Sequence, residues 1–379
     1  MQESARDLDE LDLALINALQ IAPRGSWRLI GDVLEVDPVT VARRWERLSR
    51  KGLAWVTAYG SSSLMRSMSF ALVAVTCAAD HVWSVAEALL DDPHAVTIAH
   101  TVGTCDLLVT VWTPDLPTHS RYLLGRLNRL PGVITCRTSV ASDMFIEGSR
   151  WRLHALAPAQ RARLAPATAA GHIPDILRPE DRELVVALST DGRASYKDLA
   201  SLTGASASTV RRRLDRLVDS KALALRCEVA RSVSGQPVSA TLWIEVTGLD
   251  LRDAAARLAQ LPQARMCAAV VGGSDLALTV WVRSVEELQP LEMEIRHRIP
   301  GVAVTERTLT LRHLKLMGRV LCDDGRAERV VPLDIWRDPA PLGGRAYPEG
   351  WSSPIPRGVA QEVTAGNGRP RPLARSRRG

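Results

Sequence analysis

Hydrophobic positions near the start of the chain recur at helical spacing in three short stretches. Leu11 and Leu15 fall on one face of a first helix, a second stretch surrounds Ile30, and a third helix runs from Pro38 to about Lys51. Proline suits the first position of a helix, and the aspartate before it is a good N-cap. Three short helices with a tight turn before the third predict a helix-turn-helix domain.

The pattern then changes to β-branched runs that alternate with shorter helical stretches. Residues 70–76 read as a strand, 82–90 as a helix, and two further strand-like runs flank a turn at Gly103. A helix over about 118–130 and a strand over 133–141 complete the unit. The order β-α-β-β-α-β predicts a ferredoxin-like domain with its helices on one face of an antiparallel sheet.

The second half of the chain repeats the first at a fixed spacing of 169 residues, with no gap. The recurring pairs include Asp12 and Asp181, Arg47 and Arg216, Gly103 and Gly272, Trp112 and Trp281, and Pro131 and Pro300. A period this long indicates a duplicated globular unit rather than a solenoid. The predicted fold class is α+β, with two tandem copies of a three-helix, winged-helix-like helix-turn-helix domain followed by a βαββαβ ferredoxin-like domain.

Domain boundaries follow from these patterns. The predictions are helix-turn-helix domains at 1–55 and 177–226, effector and oligomerisation domains at 66–145 and 235–320, a linker at 146–176 that is weakly helical at best, and a disordered basic tail at 335–379.

Charge, cysteine spacing and hydrophobicity argue against a secreted, a membrane-spanning or a metal-stabilised protein. The net charge is +6, but the segment from Ile335 onward holds eight arginines against three acidic residues, so the rest is close to neutral. Binding to nucleic acid must therefore rest on a local patch. The six cysteines are scattered without metal-ligand spacing, no apolar run reaches membrane-spanning length, and the polar N-terminus is no signal peptide. We expect a cytoplasmic protein without a membrane segment or a structural metal.

The third helix of each copy carries a basic face. Thr40, Arg43, Arg44 and Arg47 recur at i, i+3, i+4 and i+7, and the second copy presents Ser208, Thr209, Arg212, Arg213 and Arg216. The planar guanidinium pairs with phosphate oxygens or with a guanine edge, so these residues are the predicted contacts to double-stranded DNA. The alternative is a solvated basic helix face whose late arginines complement the helix dipole.

A glycine-led turn joins the two central strands of each ferredoxin-like domain. The turns are Gly103-Thr104-Cys105-Asp106 and Gly272-Gly273-Ser274-Asp275. A glycine there lets another group approach the backbone closely, and the aspartate can face a cation such as an amine. The alternative is a hairpin turn in which the aspartate hydrogen-bonds the nearby backbone.

The helix sequences TVARRWERLSRKGL and STVRRRLDRLVDSKAL, each followed by a βαββαβ pattern with Gly-x-x-Asp-Leu, resemble the Lrp/AsnC family of transcriptional regulators. The resemblance implies DNA binding, assembly through the sheet into a homo-oligomer, and small effectors, often amino acids, bound near the Gly-x-x-Asp loop. It makes effector-site candidates of Gly103, Thr104, Asp106, Gly272, Gly273, Ser274 and Asp275.

The chain departs from that pattern because it holds two units, so one chain could form the pseudo-dimer that two subunits normally make. The copies also differ: Gly52 after the third helix becomes Lys221, and Trp45 becomes Leu214. This divergence predicts an asymmetric operator or unequal half-site affinities.

The sequence therefore predicts a DNA-binding regulator that responds to a small effector, without a catalytic site or a cofactor, since no hydrolase, zinc-protease or nucleotide-binding motif is present. Two alternatives remain. The chain also resembles the sirohaem decarboxylases, which have a similar two-domain architecture in paired copies. Such an enzyme would need histidines around a large pocket between the halves, and the eight histidines of this chain are isolated. The other is a ligand-binding assembly protein whose helix-turn-helix domains no longer bind DNA.

Overall fold

A computed structural model describes residues 8–60, 68–148, 151–165 and 177–339. The basic tail from residue 340 onward and residues 166–176 of the predicted linker lie outside the described part. Within the described ranges, no helix is long and apolar enough to cross a membrane.

The first copy follows the predicted element order, with the strand β1 (Ala54–Gly60) and the helix α6 (Pro158–Leu164) in addition. Its elements are α1 (Glu10–Ile21), α2 (Trp27–Leu34), α3 (Pro38–Arg50), β1 (Ala54–Gly60), β2 (Ser69–Cys77), α4 (Val82–Leu90), β3 (Ala95–Val102), β4 (Leu107–Thr113), α5 (Leu116–Gly125) and β5 (Val133–Ile146), followed by α6 (Pro158–Leu164).

The second copy repeats this order and adds a short hairpin. Its elements are α7 (Arg182–Thr190), α8 (Tyr196–Thr203), α9 (Ala207–Asp219), β6 (Leu223–Val229), β7 (Val238–Val246), α10 (Leu251–Leu258), β8 (Ala264–Val271), β9 (Leu276–Val282), α11 (Leu288–Arg298), β10 (Val302–Leu316), β11 (Arg319–Leu321) and β12 (Ala327–Val330). The α+β fold class and the duplication are both confirmed.

Local sequence explains the ends of the helix-turn-helix elements. The Asp37 carboxylate accepts the backbone N–H of Val39 at 2.8 Å, and Pro38 occupies the first turn of α3, as predicted. Ser206 caps α9 through the backbone N–H of Thr209. Both third helices therefore begin at a side-chain cap, which fixes where their exposed first turns start.

The strands of both copies close into one ring. The order is β10-β3-β4-β2-β5-β8-β9-β7, and β7 pairs with β10 again. The long strands make this possible, because β5 pairs with β2 over its first half and with β8 over its second, while β10 does the same with β7 and β3. The two inter-copy seams are equivalent: Val140 pairs with Val271, and Leu309 with Val102. One chain thus folds as a pseudo-symmetric dimer of its two copies.

The ring carries a hydrophobic core on each of its faces. The outer faces pack against helices, with Tyr122 in the core of the first copy and Ile295 in that of the second. The inner faces meet in a shared core that includes Trp112 and Trp243. This shared core lies between the copies and can form only when both are present.

The predicted linker requires a correction. Residues 151–165 are folded rather than weakly structured, because Leu156 and Leu164 are buried in the core of the first helix-turn-helix domain. The Asn17 and Gln20 side chains accept backbone N–H groups from this segment at 3.2 and 2.9 Å. This stretch is rich in Ala and Arg and is too short to show a clear hydrophobic period, so its sequence did not predict this packing.

The predicted start of the tail also requires a correction. Ile335 is buried in the shared inner core, and the indole ring of Trp336 lies under the Arg182 guanidinium, 5.7 Å from the ring centroid. Before it, the hairpin β11–β12 packs against the first helix-turn-helix domain, where the Ala327 N–H donates to the Gly52 carbonyl at 2.9 Å. A Cβ at Gly52 would collide with the Ala327 backbone, so this contact requires glycine.

A buried lysine at one seam gives the fold a pH dependence. Lys315 is fully buried and its Nζ donates to the Asp92 carbonyl at 2.7 Å. Burial lowers the pKa of Lys315 to about 7, so between that value and its ordinary pKa the unfolded chain binds a proton that the folded chain does not.

Stability should therefore rise with pH in this window. From about pH 7 to about pH 9 we expect Lys315 to add about 2 kcal/mol to the free energy of unfolding. Lys315→Met should remove that rise, as measured by urea unfolding of both proteins at the two pH values. An undiminished rise in the variant would contradict the assignment.

Candidate nucleic-acid interface and interior cavity

The third helix of each copy is held to its own bundle by an apolar face. Val41 and Leu48 of α3 are buried, as are Val210, Leu214 and Leu217 of α9. Trp45 is half-buried against the same core as Val41. The opposite face carries the predicted DNA-contacting residues.

Some arginines of that basic face form ion pairs, and others do not. In the first copy, Arg44 lies 2.6 Å from an Asp9 carboxylate oxygen and 2.9 Å from Asp12, and Arg47 also pairs with Asp12. Asp12 is 1% exposed, so the two arginines neutralise a carboxylate that is buried at the start of α1. The Asp9 pairing lowers the pKa of that carboxyl below its ordinary value.

The second copy repeats the arrangement. Arg216 lies 2.6 Å from Asp181, which is fully buried, and Arg213 donates to the Glu180 carbonyl at 3.1 Å. Arg47 and Arg216 pair with equivalent aspartates, so the same ion pair ties the third helix to the start of the first helix in both copies.

The remaining predicted residues face solvent. Thr40, Arg43, Ser208 and Arg212 are exposed, while Thr209 is half-buried and accepts a hydrogen bond from Ser206 at 2.9 Å. Among the described residues, neither Arg43 nor Arg212 takes part in an ion pair or hydrogen bond. They lie in the first two turns of their helices, the part that enters the major groove in this motif.

A two-stranded ladder joins the helix-turn-helix domains. Strands β1 and β6 pair antiparallel over seven residues each, and at the centre Thr57 faces Arg226, its own equivalent in the other copy. The local pseudo-two-fold axis therefore passes through this pair. We call β1 and β6 together the strap. Each strand also packs against the other copy, with Cys227 in the core of the first domain and Ala58 in that of the second.

Two arginines at equivalent positions each bind the other copy and so reinforce the strap. Arg24 donates to the carbonyls of Gly192 and Ala194 at 2.7 and 3.0 Å, and Arg193 donates to those of Pro23 and Gly25 at 2.6 and 3.0 Å. Each guanidinium also lies over an aromatic ring of the other copy, Arg24 over Tyr196 and Arg193 over Trp27. The two helix-turn-helix domains are thus held in one relative orientation.

The aspartates of the glycine-led turns anchor backbone. The Asp106 carboxylate accepts the Cys77 N–H at 2.8 Å, and Asp275 accepts the Val246 N–H at 2.8 Å. Each hydrogen bond ties the turn to the end of the neighbouring strand. The aspartates thus bond backbone, as in the alternative that the sequence left open, but this backbone belongs to a strand 29 residues earlier in the chain and not to the turn itself.

The glycines of these turns sit on the seams between the copies. A Cβ on Gly103, whose φ is +124°, would lie 2.5 Å from the Arg307 carbonyl oxygen, so close packing requires glycine. Thr104 donates to Glu306, which Arg137 also binds at 2.8 Å. Gly272 packs against Ser139 at the other seam. Gly103, Thr104, Gly272 and Gly273 are exposed, with Ser274 half-buried beside them.

A cavity of about 130 Å³ lies between the two sheets, apart from those turns. Both copies line it, and none of the seven predicted effector residues does. Its apolar lining residues include Phe70, Leu72, Trp112, Met144, Met266 and Leu316, and its polar or charged ones include Thr97, Glu147, Thr241, Arg265 and His313. The strap closes it with Tyr59 and Arg226. The sequence analysis missed this site, although an arginine inside the apolar run of β8 was a signal for it.

A buried charge cluster stands at the strap end of the cavity. Glu228 pairs with Arg226 and lies 2.7 Å from Arg265, whose guanidinium stacks over Trp281 with 4.1 Å to the ring centroid. Burial raises the pKa of Glu228 to about 7 despite Arg226. A Cβ on Gly148 would collide with the Arg226 guanidinium, so a glycine leaves room for it.

The histidine that lines the cavity is hydrogen-bonded in a defined tautomer. Arg231 donates to His313 Nδ1 at 2.8 Å, and burial lowers the pKa of His313 well below its ordinary value. The ring is therefore neutral with its proton on Nε2, which leaves no free nitrogen lone pair for a metal. Among the described residues, no group of three or more His, Cys, Asp or Glu side chains could hold a metal ion.

Comparison with known families identifies both domain types. The AsnC-type helix-turn-helix domain matches residues 8–49 and 181–218, and the Lrp/AsnC ligand binding domain matches 70–151 and 239–320. The chain belongs to the Lrp/AsnC family. Each domain occurs twice, so this Lrp/AsnC protein carries in one chain the parts that the matched relatives carry once.

Several relatives cover about one copy. The HTH-type transcriptional regulator LrpA of Mycobacterium tuberculosis is 34% identical over 121 residues, which are 31% of this chain and 79% of that protein. The Bkd operon transcriptional regulator of Pseudomonas aeruginosa is 29% identical over 140 residues, 36% of this chain and 92% of that protein. An uncharacterized HTH-type transcriptional regulator of Pyrococcus abyssi is 28% identical over 130 residues, 34% of this chain and 82% of that protein.

A solved structure resembles the whole chain. The siroheme decarboxylase NirDL, in complex with an iron-uroporphyrin III analogue, has a TM-score of 0.53 at 14% identity and covers 86% of this chain and 95% of its own. At this identity the likeness concerns the fold alone.

Proposed function

We propose that the protein is a sequence-specific DNA-binding transcriptional regulator in which one chain supplies two reader domains and responds to a small effector, an amino acid or similar metabolite. Membership of the Lrp/AsnC family supports this, as do the relatives named as HTH-type regulators. The observation that carries the proposal is that the basic face has the same arrangement in both copies. The same ion pair holds the third helix in each copy, while Arg43 and Arg212 stay exposed.

The predicted DNA-contacting residues then take two roles. Thr40, Arg43, Ser208, Thr209 and Arg212 contact bases and phosphates directly. Arg44, Arg47, Arg213 and Arg216 orient the helix. Because the two readers are not identical in sequence, their half-sites differ in affinity.

The effector proposal rests on the exposed surface of the glycine-led turns. Gly103, Thr104, Gly272 and Gly273 lie on the two seams between copies, where a bound molecule would touch both. An effector there would bind one arrangement of the two copies, or of the chains in a homo-oligomer, more tightly than another. Its binding would therefore shift the equilibrium toward that arrangement.

Loss of the two exposed arginines should weaken DNA binding strongly. We expect Arg43→Ala/Arg212→Ala to lower affinity for the DNA upstream of the protein's own gene by tenfold or more and to reduce the slope of log K against log salt by about 2. Fluorescence anisotropy over a salt series measures both. Arg257→Ala/Arg283→Ala, which removes two exposed arginines from the second ligand-binding domain, is the matched control.

Equal affinity of both double variants would contradict the proposed contacts of Arg43 and Arg212. No specific binding of DNA by the wild type would favour a ligand-binding assembly protein without DNA binding. The decarboxylase alternative is supported by fold likeness alone. The histidines that such an enzyme would need are sparse, because His313 is the one histidine among the described residues that line the cavity. The His313 tautomer does not suit an iron ligand either.

A further inference from the structure

Both helix-turn-helix domains have a surface cleft where the start of the first helix meets the third helix. The cleft of the first reader is lined by Leu8, Asp9, Asp12, Thr40, Arg43, Arg44 and Arg47. The cleft of the second reader is lined by Arg178, Glu180, Arg212, Arg213 and Arg216. We call them the first and the second cleft. Each includes the exposed arginine that is the proposed DNA contact, so each borders the surface that faces DNA.

The two clefts differ in charge because one pair of equivalent positions has changed sign. Asp9 of the first reader corresponds to Arg178 of the second at the spacing of 169 residues. Three arginines therefore face Asp9 and Asp12 in the first cleft, which leaves one net positive charge. Four arginines face Glu180 and the buried Asp181 in the second cleft, which leaves two. This count includes Glu180, whose equivalent in the first reader is apolar.

The pairing of the arginines differs in the same direction. Arg44 is neutralised by two carboxylates, Asp9 at 2.6 Å and Asp12 at 2.9 Å. Its equivalent Arg213 donates to the backbone carbonyl of Glu180 at 3.1 Å and forms no ion pair among the described residues. A guanidinium has five N–H donors, so Arg213 can hold its helix through one of them and bind an anion through others.

From these contrasts we infer that the second cleft binds a phosphate group of the DNA backbone through Arg178 and Arg213, and that the first cleft does not. The walls of the major groove are sugar-phosphate backbones, so a helix that enters the groove beside Arg212 brings the adjoining cleft against one of them. Arginine suits this ligand because its planar fork binds two phosphate oxygens at once. The inference rests on the proposed function, because its ligand is DNA.

The two readers then contribute differently to binding. Phosphate contacts position a protein on the duplex without reading its sequence, whereas contacts to base edges specify the sequence. The second reader therefore holds DNA with more affinity that is independent of sequence. The first reader depends more on base contacts near Arg43, so base changes in its half-site should cost a larger share of its affinity.

A salt titration of operator binding tests the phosphate contact. On the DNA upstream of the protein's own gene, Arg178→Gln should lower the slope of log K against log salt by about 1. It should weaken binding to this DNA and to a scrambled duplex by the same factor, because a phosphate contact carries no sequence information. Arg178→Lys keeps the charge and should keep the slope. Arg182→Gln is the matched control, since it removes a nearby exposed arginine that does not line the cleft.

A duplex with a single half-site compares the two readers directly. Arg43→Ala removes the exposed arginine of the first reader and leaves the second reader intact, and Arg212→Ala does the reverse. Because only the second reader has the additional phosphate contact, Arg43→Ala should keep a salt slope steeper by about 1 than that of Arg212→Ala.

An unchanged slope in Arg178→Gln, an equal loss in Arg182→Gln, or equal half-site slopes would each overturn the phosphate site. Salt-sensitive, sequence-specific binding by the wild type would retain the regulator in all three cases. Failure of the wild type to bind DNA would reject the regulator and the site together. Thermal unfolding of each variant shows that it is folded.

Discussion

Arg216→Ala should lower the free energy of unfolding by about 3 kcal/mol, although Arg216 lies on the surface of a recognition helix. Its partner Asp181 is fully buried and also accepts the Arg178 backbone N–H at 3.1 Å. Removal of the arginine leaves a buried carboxylate without its cation, and such losses are among the largest that a single substitution produces. Urea unfolding followed by circular dichroism measures the change.

Two variants are matched controls for this prediction. Arg212→Ala removes an exposed arginine from the same helix and should cost less than about 0.5 kcal/mol. Arg47→Ala should be milder than Arg216→Ala, because Arg44 remains 2.9 Å from Asp12 in the first copy. Equal destabilisation by Arg212→Ala and Arg216→Ala would show that the ion pair does not fix the helix.

The main elements of the fold could be predicted from the sequence because its hydrophobic periods are regular and occur twice. The third helix of the first copy, predicted from Pro38 to about Lys51, occupies Pro38–Arg50. Less regular segments were missed for physical reasons. The strap and the linker helix α6 are stabilised by contacts with distant parts of the chain, which local periodicity does not report.

The division of the basic face could not be read from spacing alone. Arg43 and Arg47 share a helix face by periodicity, yet only one has a buried carboxylate beside it, and that neighbour comes from α1. The recurrence of Asp12 as Asp181 together with Arg47 as Arg216 was a usable signal, since a duplicated pair of opposite charges indicates a contact. The cavity was harder to predict, because it requires knowledge of which strand faces point inward.

The rigid strap leads to the second large effect, on the spacing of DNA half-sites. An insertion of about 5 bp, half a helical turn, between the two half-sites should lower affinity by about 100-fold. The reason is that seven ladder pairs and two reciprocal arginines hold the readers in one relative orientation, so the second reader cannot follow its half-site around the duplex. Gel-shift titration of the native and the lengthened operator measures the loss.

Arg24→Ala/Arg193→Ala identifies the origin of that penalty. It removes the four arginine–carbonyl hydrogen bonds between the readers and touches neither recognition helix. If orientation is held as the structure indicates, the double variant should bind a single half-site as the wild type does but lose part of the discrimination between the two operators. Equal affinity of the wild type for both operators would mean that the readers bind independently, since avidity is lost only when geometry forbids simultaneous engagement.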